Sequence, residues 1–111
     1  MATHNITINE QGTPTPKKIM DRIEPEDTLD FSAGNESIIL CLPVTVFEKE
    51  RIEIAAGDSI SVRVKPYAPH GDFEYWSCNA ADASGLTCSE ITKQRKGDTG
   101  SGSVGGGGEM E

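Results

Sequence analysis

The sequence predicts an all-β fold: a small two-sheet β-sandwich of six to seven short strands, antiparallel or mixed in pairing, followed by a disordered glycine-rich tail. Three observations carry this expectation. Apolar residues recur at every second position in several short runs, clusters of Gly, Asn, Asp and Pro separate those runs, and no window fits the helical spacing well. At 111 residues with 35% hydrophobic and 5% aromatic content, the chain has material for one modest core, anchored by Phe31, Phe47, Tyr67, Phe73, Tyr75 and Trp76.

In chain order, Asn5 to Asn9 alternates polar residues with Ile6 and Ile8, which reads as a short strand or an ordered arm. Residues 11 to 18 hold Pro14 and Pro16, which cannot donate ladder hydrogen bonds, so residues 1–18 are expected to form an N-terminal arm and linker. The sandwich domain is then expected over residues 19–92. Leu29 and Phe31 share one strand face, and Ala33 to Glu36 supplies a turn. The run Ile38-Ile-Leu-Cys-Leu is apolar on both faces, as a strand buried on both sides would be, with Pro43 marking its end.

The clearest alternation is Ile52, Ile54, then Ile60, Val62 and Val64, interrupted by Ala-Ala-Gly57-Asp58. It predicts two half-buried strands, either a hairpin or a pair in opposing sheets. Residues 66 to 71 read as a loop, and Asp72 to Cys78 as a strand with Phe73 and Tyr75 on one side and Trp76 and Cys78 on the other. Asn79 to Gly85 reads as a polar loop, and Leu86 to Thr92 as the last strand. Residues 93–111, dominated by Gly and Ser, offer too little apolar surface to offset their ordering entropy, so a disordered tail is expected there.

The formal charge of −8 is uneven. Lys17 and Lys18 against Glu10 leave the first 18 residues at +1, and residues 93–111 balance, so residues 19–92 carry −9. Such a surface repels nucleic-acid phosphates and anionic lipid, which argues against nucleic acid as a partner. No apolar run approaches membrane-spanning length, so no membrane insertion is expected. The N-terminus has no basic cluster ahead of an apolar run. The default location is therefore cytoplasmic, although a secreted chain whose signal had been removed would look the same.

One stretch has a familiar shape. Ile52-x-Ile-x-x-Gly-Asp-x-Ile-x-Val-x-Val followed by Gly71-Asp-Phe-Glu-Tyr-Trp-Ser-Cys78 resembles the cupredoxins, in which a comparable strand pair precedes an aromatic strand ending in a copper-ligating cysteine. Immunoglobulin-like sandwiches carry a similar glycine-aromatic-cysteine strand. The resemblance implies the sandwich fold but not the copper chemistry. A blue-copper centre needs two imidazoles beside the thiolate, usually with a distant methionine. Here Asn79 to Ser84 contain no histidine, and the one later methionine is Met110.

Other chemistry is sparse. Cys78 and Cys88 flank a short polar loop that a Cys78–Cys88 disulfide could close, though in the cytoplasm the pair would stay reduced, and Cys41 is the buried odd cysteine. His70, Cys78 and Cys88, with Asp82, form the one set of potential metal ligands, but they lack the close cysteine pair of typical zinc sites. The expectation is accordingly no cofactor, with a single metal ion as the alternative. No Gly-x-Ser-x-Gly, phosphate loop or dinucleotide fingerprint is present, so catalysis is not expected. The loop Tyr67-Ala-Pro-His70 together with Trp76 is the candidate interaction loop. The functional expectation is a non-catalytic protein-interaction or structural module, a monomer or weak edge-strand dimer. The alternative is a degenerate cupredoxin-like metal or redox protein using Cys78, Cys88 and His70.

Overall fold

A computed structural model describes residues 2–105. It is a β-sandwich of two four-stranded sheets. The strands are β1 (Thr3–Ile8), β2 (Pro14–Thr15), β3 (Thr28–Ala33), β4 (Ile38–Cys41), β5 (Arg51–Ile54), β6 (Ser59–Arg63), β7 (Gly71–Asn79) and β8 (Asp98–Val104). The first sheet has the order β2-β1-β3-β6 and the second β5-β4-β7-β8. All pairs are antiparallel except β1 with β3, which run parallel.

Alternation explains which side chains meet between the sheets, since successive residues of a strand point to opposite faces. Ile6 and Ile8, Leu29 and Phe31, Ile38 and Leu40, Ile52 and Ile54, Val62 and Val64, and Phe73 and Tyr75 are all buried in one cluster. Phe31 meets Tyr75 edge-on with ring centres 5.3 Å apart, and Phe47 meets Phe73 at 5.4 Å. These geometries suit the positive edge and negative face of aromatic rings. The alternating run at residues 52–64 divides between opposing sheets, β5 in the second and β6 in the first.

The expected boundaries of the sandwich are too narrow at both ends. Residues 1–18 were expected to lie outside it, yet β1 is an interior strand of the first sheet, with His4, Ile6 and Ile8 turned inward. Pairing along the length of β3 outweighs the prolines that follow, and Pro14 is itself fully buried. Residues 17 to 23 then run alongside β8, with hydrogen bonds from Ser101 N–H to Lys17 O (2.8 Å) and from Ile23 N–H to Ser103 O (3.0 Å).

The second correction concerns residues 93–111. Asp98 to Val104 is a full strand, not part of a disordered tail. Its inward positions are Gly100, Gly102 and Val104, and the glycines lie opposite Tyr75 and Phe73. A Cβ at Gly100 would collide with the Tyr75 ring, and one at Gly102 would stand 3.0 Å from Phe73 Cζ. Glycine here makes room for aromatic rings from the neighbouring strand, so packing supplies the apolar surface that the local sequence lacks. The remainder of the expected tail, residues 106–111, lies outside the described residues.

The third correction is helical. The stretch expected as a last strand, Leu86 to Thr92, is instead largely taken up by the helix α1 (Cys88–Lys93), and Ala80–Ala83 forms a single 3-10 turn. The signal for α1 is a capping box: Thr87 Oγ1 accepts from Glu90 N–H at 3.2 Å, and the Glu90 carboxylate accepts from Thr87 N–H at 2.9 Å.

Candidate functional site

Two surfaces hold the residues singled out by the sequence, at different places on the sandwich. The first is the outer face of the second sheet. Ile39 and Cys41 of β4 and Trp76 and Cys78 of β7 turn away from the central core and form a second apolar cluster with Ala83, Leu86, Cys88 and Ile91. Residues 80–97, including α1, lie over this face.

The disulfide is not the one the loop spacing suggested. Cys41 and Cys88 are bonded, with Cα atoms 5.6 Å apart, and Cys78 is the free, buried cysteine. The reason is the alternation on β4 and β7 combined with the start of α1. Cys41 stands directly opposite Trp76 in the register and Cys78 opposite Ile39, so Cys41 and Cys78 are diagonal neighbours on one face, roughly 7–8 Å apart. Folding residues 88–93 as a capped helix sets Cys88, its first residue, over Cys41.

Cys78 is closely packed. Its residue is fully buried, and a Cβ at Gly12 would lie 2.6 Å from Cys78 Cα. Gly97, with φ +92°, has no room for a Cβ against Ser77 O and Cys78. Ser77 Oγ donates to Gly12 O at 2.6 Å and Asn79 Nδ2 to Glu10 O at 2.8 Å, so the β1–β2 turn is latched onto the end of β7. Burial, reinforced by the Asp82 carboxylate, pushes the Cys78 thiol above its ordinary pKa, against smaller opposing effects of Arg51 and the Ile39 amide. That environment suppresses the thiolate, which is the nucleophile and the metal ligand.

The metal set His70, Cys78 and Cys88 does not assemble. His70 precedes the first residue of β7 and Cys78 is next to its last, which separates them by roughly 25 Å of extended strand. The Cys88 sulfur is committed to Cys41. His4 is held at the far end as well, its Nε2 3.0 Å from Asp27 Oδ2 in a buried pair. Among the described residues no group of three or more His, Cys, Asp and Glu side chains converges. His70, Cys78 and Cys88 therefore do not form a joint metal-ligand set.

The second surface is the end of the sandwich where β4 leaves toward β5 and β6 toward β7. The Lys65 ammonium donates to Val44 O at 2.6 Å and Lys65 N–H to Val46 O at 2.8 Å, which ties the two loops together. On this platform Tyr67 is 95% exposed and Val44 51%. Their neighbours Val46, Phe47, Val64 and Ala68 are buried, so the platform is anchored in the core. His70 is on the same loop and borders a cleft with Arg22 and Ser103.

Trp76 does not join Tyr67 and His70, contrary to the expected grouping. It is half-buried on the outer face, and its indole N–H donates to Lys96 O. It lines a groove of about 350 Å³ whose walls also include Cys41 and Cys88.

No helix among the described residues is long and apolar enough to cross a membrane. No known family model matches the chain, and no curated protein is significantly similar to it.

Proposed function

We propose that this chain is a non-catalytic, cupredoxin-like β-sandwich that binds a protein partner through the platform formed by Tyr67 and Val44. The observation that carries the reading is the exposure of these two side chains on loops joined by Lys65, while the other large apolar side chains among the described residues, Met20 excepted, are sheltered. A tyrosine held on an anchored loop offers a large, stiff contact at low entropic cost, which is why tyrosine is enriched at binding hot spots.

The cupredoxin-like assignment over the immunoglobulin-like one draws support from topology. Immunoglobulin sandwiches are built of two antiparallel sheets with the first strand at an edge. Here the first strand is interior and parallel to the third. The disulfide favours an oxidising compartment over the cytoplasm, since thiols in the cytoplasm are kept reduced. Edge strands β5 and β6 are short and carry Arg51, Glu53 and Arg63, a composition that discourages edge-to-edge pairing and favours a monomer.

The test compares wild type with Tyr67→Ser and Val44→Ser, singly and together, as baits in an extract of the native cells, read by quantitative mass spectrometry. Each variant should keep the wild-type melting temperature. Loss of Tyr67 should cost a true complex about 1–2 kcal/mol, roughly five- to thirtyfold in affinity. Identical capture by the double variant would refute the platform as the binding surface.

A further inference from the structure

The outer face of the second sheet has its own cover. Residues 80–97 bury Ala83, Cys88 and Ile91 against Ile39, Cys41 and Cys78. Their helix, α1, has six residues, well below the ~12–15 at which isolated helices become marginally stable. Polar ties sit near the ends of the segment: Ala80 N–H donates to Ser37 O at 2.8 Å, and the Trp76 indole N–H donates to Lys96 O. The middle is fastened covalently, through Cys88 to Cys41.

That fastening lies at the wall of a groove, with Cys41 7% and Cys88 8% exposed. Cys41 and Cys88 both line the groove beside Trp76, Leu42, Glu74 and Thr92. Cys78, by contrast, is 0% exposed beneath the cover. The sandwich core is a separate cluster, built from Ile38 and Leu40 on the opposite face of β4, so lifting the cover leaves it closed.

We propose that residues 80–97 form a redox-operated lid, locked by Cys41–Cys88 and opened by a dithiol reductant, which uncovers the strip formed by Ile39, Trp76 and Cys78. A reductant thiolate attacks one sulfur of the disulfide, forming a mixed disulfide and releasing the other cysteine as a thiolate. The second reductant thiol then displaces the remaining cysteine and leaves as its own disulfide, so two electrons and two protons pass to the protein. The freed lid detaches by local opening, because its helix is too short to persist alone. The product is a folded sandwich with an accessible third thiol, a site for thiol modification that the locked form hides.

The experiment treats the full chain with dithiothreitol, pulses it with N-ethylmaleimide, and follows labelling cysteine by cysteine with hydrogen exchange in parallel. In the oxidised protein Cys78 should label slowly. After reduction its rate should rise about tenfold or more while amides of β1 and β3 keep their protection. The emission of Trp76, the one tryptophan of the chain, should shift to the red. The Cys41→Ala/Cys88→Ala double variant should label at Cys78 without any reductant. Labelling of Cys41 and Cys88 with Cys78 still protected would overturn the lid. So would simultaneous loss of protection in β1 and β3, which would mean that reduction unfolds the whole domain.

Discussion

At Gly97 the backbone turns with φ +92° into space where a Cβ would strike the end of β7. Gly57, with φ +79°, has open space around it, so substitution there meets conformational strain alone. Gly57→Ala should therefore cost about 1 kcal/mol and Gly97→Ala about 3 kcal/mol or more, measured by urea denaturation. Equal costs would show that the close approach to Cys78 carries no weight.

Asp27 is a second residue with a defined consequence. Burial by itself pushes its carboxyl up, but hydrogen bonds from Ala2 N–H, Glu24 N–H and His4 outweigh it, and the net value lies below the ordinary one. A carboxylate depressed by folding adds stability that is fully present above its unfolded pKa of about 3.9 and is lost as pH falls through the folded value. Asp27→Asn should thus lower stability at pH 7 by about 1–3 kcal/mol. The gap in melting temperature between wild type and variant should narrow as pH falls below about 4. A gap that does not vary with pH would contradict an ionised Asp27 as its source.

Among the elements, β8 most clearly separates local sequence from tertiary context. Read alone, Asp-Thr-Gly-Ser-Gly-Ser-Val has neither strand propensity nor apolar mass. Its order comes from Phe73 and Tyr75, whose rings fill the room left by Gly102 and Gly100, and from residues 17 to 23 on its other side. Removal of residues 98–105 should therefore abolish cooperative unfolding, because the rings lose their cover and Lys17 loses its 3.1 Å ion pair with Asp98. A shortened chain with an unchanged melting temperature would return this stretch to the status of a tail.

The same contrast explains what could be read beforehand. β3, β4, β5, β6 and β7 were legible because each carries its own alternation or apolar run. The Ile6 and Ile8 alternation was also visible, but its place inside a sheet depends on β3, more than twenty residues away. The Gly-x-Gly spacing of β8 was a signal at period two that composition masked. The Thr87-x-x-Glu90 box was visible too, and recognising it would have replaced a strand by α1 and turned attention from Cys78 to Cys41 as the partner of Cys88. The candidate site was less legible than the fold, since the shared face of Cys41 and Cys78 cannot be inferred without the strand register.

Across the whole molecule, one core closes between the sheets and a smaller one lies outside them, under residues 80–97. The Cys41–Cys88 bond joins the outer layer to the sandwich across a sequence separation of 47 residues. In the chain-entropy picture such a closure contributes about 4 kcal/mol by restricting the unfolded chain. The arrangement assigns all three cysteines: two hold the cover in place and one is stored beneath it. The most direct measurement of this account is a peptide map of protein purified and digested without reductant, with free thiols blocked beforehand under denaturing conditions. The account predicts a crosslinked pair containing Cys41 and Cys88, with Cys78 found alone as the blocked thiol. A Cys78–Cys88 crosslink, or three blocked thiols, would contradict it.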